Sequence, residues 1–148
     1  MTERAAAAGR RAPPVMSAVR IGVNVGAGTD AHRVMSYNPF VALQWLLDGK
    51  TVAGTPLRWQ EEIPSRPEAL RLYTSGSAWF DHSENRRGSL EAGKFADLAV
   101  LSKDYLTVPV GEIGGIESLL TMVGGKIVYA AGAYEKYGQY GQYEKPAR

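Results

Sequence analysis

The residues of this 148-residue chain best suited to chemistry lie in one short run, Gly26-Ala27-Gly28-Thr29-Asp30-Ala31-His32, just after the alternation Ile21-Gly22-Val23-Asn24-Val25. Two chemistries suit it. Read as Gly26-x-Gly28-x-x-Ala31 behind a strand, the run meets the looser dinucleotide fingerprint, whose glycines let backbone amides approach a pyrophosphate. Read around Asp30, it places one carboxylate at the carboxyl end of a strand, with glycines that let the loop approach a metal centre closely.

Physics favours the second reading. A pyrophosphate turn opens directly into a helix whose first amides and dipole face the anion, whereas here "HRVMSYNP" separates the glycines from the next helix signal. Asp30 would also stand beside the pyrophosphate, and two close anions in a partly desolvated turn repel by several kcal/mol in order of magnitude. Other reactive side chains have plainer readings. His32, two residues after Asp30, invites a role as an extra ligand, but a lone histidine past a strand end is more often solvent-facing or hydrogen-bonded. Arg33 suits a surface ion pair, and His82 in "WFDHSENRRG" reads as a surface histidine. Glu61-Glu62 has no acid-base partner nearby in sequence and is expected in a solvated loop. Trp45 and Trp59 are assigned to packing. Asp97 is expected to fix a turn by hydrogen bonds from backbone to its side chain.

The elements that must position Asp30 begin with the period-two run Ile21, Val23 and Val25, which predicts a strand ending near Gly26. Asn38-Pro39 predicts a helix start, because the Asn side chain accepts a backbone N–H and proline loses nothing at the first helical position. That helix should run from Pro39 to about Asp48, with Phe40, Leu43, Leu46 and Leu47 at helical spacing and Gly49 as its left-handed stop. Ser65-Arg66-Pro67-Glu68 has capping-box spacing for a second helix through "ALRLYTSGSAWF", with Leu70, Tyr73, Ser77 and Phe80 along one side and Trp79-Phe80 packed in a core. After about Arg87 the texture turns to β: a strand from Ala96 to Leu101, then two strands joined by Gly124-Gly125, a two-residue hairpin loop that tolerates positive φ. Four tyrosines, Tyr134, Tyr137, Tyr140 and Tyr143, recur three apart among Gly, Gln and Lys in a low-complexity tail.

Composition bounds the rest. With 45% hydrophobic residues the chain has enough apolar material for one core. A net charge of +2, from 17 basic and 15 acidic residues, gives no electrostatic footprint for nucleic acid or an anionic membrane. No cysteine is present, so metal ligation falls to carboxylates and two histidines. No apolar run approaches the roughly 20 residues that span a bilayer, and a soluble, cytoplasmic protein is expected.

Four blocks in order carry a family resemblance: "VGAGTDAHRVMSYNPFVALQWLLDGKTVAG", "EALRLYTSGSAWF", "GSLEAGKFADLAVLSKDYL" and "LLTMVGGKIVYAAG". From about Pro13 to Gly132 the chain resembles the amidohydrolase superfamily, in the branch of N-substituted formamide deformylase-like enzymes. The resemblance implies an α/β fold: the C-terminal part of a (β/α)8 barrel, meaning its last strand and following helices, plus part of a small β-sandwich. The corresponding divisions are 1–18 as an N-terminal loop or frayed helix, 19–86 as the end of the barrel, 87–133 as sandwich and 134–148 as a disordered tail. It also implies one or two divalent ions, usually zinc, and a small-molecule amide-like substrate. Asp30 would be the family aspartate that ligates metal and takes the proton from the metal-bound water as it attacks a C–N carbonyl.

The family's other ligands are a His-x-His pair, a carboxylated Lys or a Glu, and two further histidines, and none of these motifs occurs here. A barrel needs about 250 residues, so the chain reads as a fragment, inactive alone and binding no cation tightly. Such a fragment is expected to self-associate or to pair with the missing barrel segments, because it leaves edges and faces uncovered. The alternatives are a non-catalytic complementation module and, less favoured, a nucleotide-binding domain.

Overall fold

A computed structural model describes residues 13–31, 35–51 and 53–140, with the side chains of 139 and 140 excepted. Helix α1 (Val15–Arg20) leads into an irregular segment that reaches Asp30, and α2 (Pro39–Asp48) follows. Helix α3 (Arg66–Arg71) runs without a break into a π-helical turn (Leu72–Gly76) and then into α4 (Ser77–Phe80). The carboxyl third holds β1 (Leu98–Leu101), β2 (Ser118–Val123) and β3 (Lys126–Ala130), an antiparallel sheet in the order β1-β2-β3. The described residues are thus α/β with one small antiparallel sheet, and they contain no barrel.

Where local chemistry specifies an element, the expectation holds. Asn38 Oδ1 accepts the Phe40 N–H at 2.9 Å, Pro39 opens α2, and Gly49 ends it at φ 61° with its N–H donated to the Trp45 carbonyl. The capping box forms at α3, where the Ser65 N–H donates to Glu68 Oε2 at 2.8 Å. The Ser65 hydroxyl holds the Glu68 carboxyl below its ordinary pKa, helped by the Ser65 amide and Arg71. In the hairpin, Gly124 and Gly125 take φ values of 57° and 78°, and Asp97 Oδ1 accepts the Gly124 N–H at 2.6 Å as the turn reading of Asp97 expects.

The core gathers Leu43 and Leu46 of α2, Ala69 of α3, and Tyr105, Ile113 and Ile116. Ile113 belongs to a 3-10 segment (Val110–Gly115) that the sequence signals did not announce. It is tied to α2 by polar contacts as well, since Gln44 Oε1 accepts the Gly114 N–H at 2.8 Å. Arg66, at the start of α3, donates to the Tyr105 and Val108 carbonyls, and the Tyr105 hydroxyl donates back to the Arg66 carbonyl at 3.1 Å. Trp45 packs against the core, and the Arg58 guanidinium lies over its ring, 4.4 Å from the centroid. Arg58 is itself buried and donates to the Trp45 and Leu46 carbonyls at 2.5 and 3.0 Å, adding a second donor at the first and a side-chain partner for the second in the last turn of α2.

Several expectations need correction. The alternation at Ile21, Val23 and Val25 forms no strand: Ile21 is 80% exposed and Val23 52% exposed. A parallel strand takes its ladder from neighbours on either side, and no described strand lies beside this one. The helix face expected at Leu70, Tyr73, Ser77 and Phe80 is also displaced. Ala69 and Leu72 are buried while Leu70 is exposed, so α3 turns a different face inward; beyond the π turn, which shifts the register of every later side chain, Ala78 is buried and Phe80 exposed. Trp79 and Phe80 stack edge to face 5.0 Å apart at the surface and do not enter the core. Glu62 is no solvated carboxylate, being 2% exposed. Finally, a 3-10 segment (Gly132–Tyr140) follows β3 where a disordered tail was expected from Tyr134, and Tyr143 lies outside the described residues.

Candidate functional site

The approach to Asp30 is fixed at its start by the buried Glu62. Glu62 accepts the Ser17 N–H at 3.0 Å, the Ser17 hydroxyl, and Arg20 Nη2 at 3.3 Å, so α1 is bound to the 3-10 turn Gln60–Glu62. The Ser17 hydroxyl is the main cause holding the Glu62 carboxyl below the usual carboxylate range; burial opposes it, and the Ser17 amide and Arg20 assist. No local spacing announces this pairing, whose members lie 45 residues apart.

Beyond α1 the backbone crosses the π turn at close range. The Ala27 N–H donates to the Leu72 carbonyl at 2.9 Å, and the Ser77 hydroxyl donates to the Ala27 carbonyl at 2.8 Å. Glycines permit the approach: a Cβ at Gly76 would overlap the Val25 carbonyl oxygen, and one at Gly26 would fall 2.9 Å from the Phe80 ring. Gly28 has open space around it. Asp30 follows in the left-handed region at φ 47°, a conformation that aspartate adopts more readily than most residues.

Asp30 is exposed and stands at the rim of a cavity of about 470 Å³, lined also by Met35, Ala42, Trp45, Leu46 and Tyr73. Those walls are largely apolar. The Tyr73 hydroxyl is buried with no hydrogen-bond partner among the described residues, and burial raises its pKa. Ala31 and Met35 form an isolated bridge, and His32 and Arg33 between them lie outside the described residues. His82 is exposed, as its sequence context suggests.

Two chemistries can be weighed against this geometry. The next described helix after the glycines is α2, beginning at Pro39, so the Gly26–Gly28 turn does not open directly into a helix as a dinucleotide fingerprint requires. A catalytic zinc takes about three protein ligands plus water. Among the described residues no group of three or more His, Cys, Asp or Glu side chains comes together. Asp30 offers one carboxylate, and the described residues do not by themselves fit a metal cage. None of their helices is long and apolar enough to cross a membrane.

Comparison with known proteins bears on the choice. The sequence profile of the Amidohydrolase family matches residues 1–129. The N-substituted formamide deformylase of Arthrobacter pascens is 35% identical over 116 residues, which cover 78% of this chain and 21% of that protein. The imidazolonepropionase of Bdellovibrio bacteriovorus is 32% identical over 102 residues, covering 68% of this chain and 22% of that protein. The chain spans about a fifth of the length of these relatives. No solved structure matches it.

Proposed function

This chain belongs to the amidohydrolase family, and from that premise we propose that it is the carboxyl-terminal portion of a hydrolase of carbon–nitrogen bonds in small amide-like molecules. Members of the family are generally metal-dependent, and Asp30 is the residue of this chain that we assign to the reaction. It contributes one carboxylate to a divalent-metal cage, with zinc the preferred ion, and it accepts the proton that hydrolysis removes from the attacking water. The remaining ligands come from polypeptide outside the described residues. The observation that carries this reading is the setting of Asp30: a lone exposed carboxylate, led to by glycines, at the rim of a cavity large enough for a small organic substrate.

The uncovered apolar side chains of Ile21 and Val23 favour a related role for the chain as a whole. We propose that this segment pairs with strands of the same hydrolase, so that the chain alone is inactive and seeks a partner or a second copy. Here the family's barrel enters as the architecture that pairing would complete.

A chimera tests both parts. Residues 20–132 of this chain would replace the matched stretch of the Arthrobacter pascens deformylase, and hydrolysis of an N-substituted formamide would be measured. The expected result is an active chimera that loses activity on the order of 10²–10⁴-fold on Asp30→Asn. A folded, active chimera indifferent to Asp30→Asn would remove Asp30 from the mechanism.

A further inference from the structure

The π turn between α3 and α4 is a costly irregularity with a specific use. An α-helix spends each carbonyl on the amide four residues later, whereas a π turn bonds five residues ahead and turns carbonyls aside. Here the Leu72 carbonyl accepts the Ala27 N–H at 2.9 Å, and the Ser77 Oγ lies 3.0 Å from the same oxygen. The single proton of that hydroxyl goes to the nearer Ala27 carbonyl at 2.8 Å, so the Ser77 side chain ties the π turn to the segment that crosses it. Gly76 and Gly26 leave the space that makes the crossing close enough for these bonds.

We propose that Ser77 is a positioning residue: through Ala27 it fixes the path of the Gly26–Gly28 turn and thereby the place and left-handed backbone of Asp30. This rests on the assignment of Asp30 to the reaction centre. Its logic is mechanical. The segment has no strand neighbour among the described residues, so its course past α1 is set by the Ala27 contacts with the Leu72 carbonyl and the Ser77 hydroxyl. Two residues, Gly28 and Thr29, separate that clamp from Asp30, too few to absorb a displacement at Ala27 without moving the carboxylate. Ser75, one turn-position away, bonds only within its own helix, to the Arg71 carbonyl at 3.4 Å, and serves as an internal control.

The test uses the full chain and nuclear magnetic resonance. Amide hydrogen exchange is read at Ala27, and the coupling constant that reports φ is read at Asp30, in the parent, Ser77→Ala, Ser77→Thr and Ser75→Ala proteins. Ser77→Ala is expected to speed Ala27 exchange roughly three- to tenfold, the loss of one ordinary hydrogen bond, and to move the Asp30 coupling toward an averaged value. Amides of β2 and β3 should keep their parent rates, Ser77→Thr should restore both local readouts, and Ser75→Ala should leave them at parent values. Unchanged Ala27 exchange in Ser77→Ala overturns the proposal. So does faster exchange spread evenly over the chain, including outright unfolding, because that assigns Ser77 to general stability. Neither readout needs a metal, so the clamp can fail while Asp30 remains a ligand, and Asp30→Asn can abolish hydrolysis in the chimera whether or not the clamp exists.

Discussion

The hairpin of β2 and β3 and the segment from Ile21 to Asp30 both carry alternating or near-alternating apolar residues, yet only one becomes strand. In the hairpin each strand finds its partner across Gly124-Gly125, with Leu120 opposite Ala130 and Val123 opposite Lys126. A local turn supplies the neighbour, so the ladder closes within a few residues. The Ile21–Val25 run has no such turn. A parallel strand's partners lie a long crossover away, and none is present among the described residues. The lesson is that the same period-two pattern reports a tendency, while pairing depends on where the partner resides.

Matched apolar deletions break or sharpen this comparison. Leu120→Ala, at a buried position of β2, should cost about 2–5 kcal/mol in a denaturant melt of the chain. Ile21→Ser should change stability by less than about 0.5 kcal/mol in the same assay, because that side chain is already in water. In the chimera, where strands are available to cover it, Ile21→Ser should instead cost more than about 1 kcal/mol. Equal effects of the two substitutions on the chain alone would show that the segment is packed and would erase the contrast.

Between these extremes lies Glu62→Gln, which loosens the start of the segment without touching the sheet. Loss of charge-assisted hydrogen bonds to Ser17 and Arg20 should cost about 1–3 kcal/mol at neutral pH. The pH dependence follows from the depressed carboxyl pKa. The unfolded group titrates near 4.5, so its contribution is fully present above that value and fades as pH falls through the lower folded value. The parent chain should therefore lose its advantage over Glu62→Gln below about pH 4.5, read from paired melts across acid pH. A constant gap between the two proteins would mean that the carboxylate's charge is not what anchors α1.

Much of the fold was legible where the chemistry is local. Asn38, Pro39 and Gly49 bounded α2, Ser65 and Glu68 started α3, and Asp97 with Gly124-Gly125 marked the hairpin. What escaped depends on distant residues. Glu62 is buried because Ser17 reaches it from far upstream, and Ile113 is central because a polar contact between Gly114 and Gln44 draws its 3-10 segment onto α2. The π turn carried one faint signal, Gly76 within an otherwise helical run, where a glycine is tolerated at a cost to the helix. For the site, Asp30 and the glycines before it are readable, but the spacing around Ser77 shows only a helix face. Its tie to Ala27 spans 50 residues and leaves no trace in local spacing.

The central claim is that Asp30 is one ligand of a cage whose other ligands lie beyond these residues. Calorimetric titration of zinc into the chain, the chimera and the chimera carrying Asp30→Ala tests it most directly. The account predicts no tight one-to-one binding by the chain and tight binding by the chimera that Asp30→Ala weakens severely. Tight stoichiometric zinc on the chain alone, or chimera binding untouched by Asp30→Ala, would contradict it.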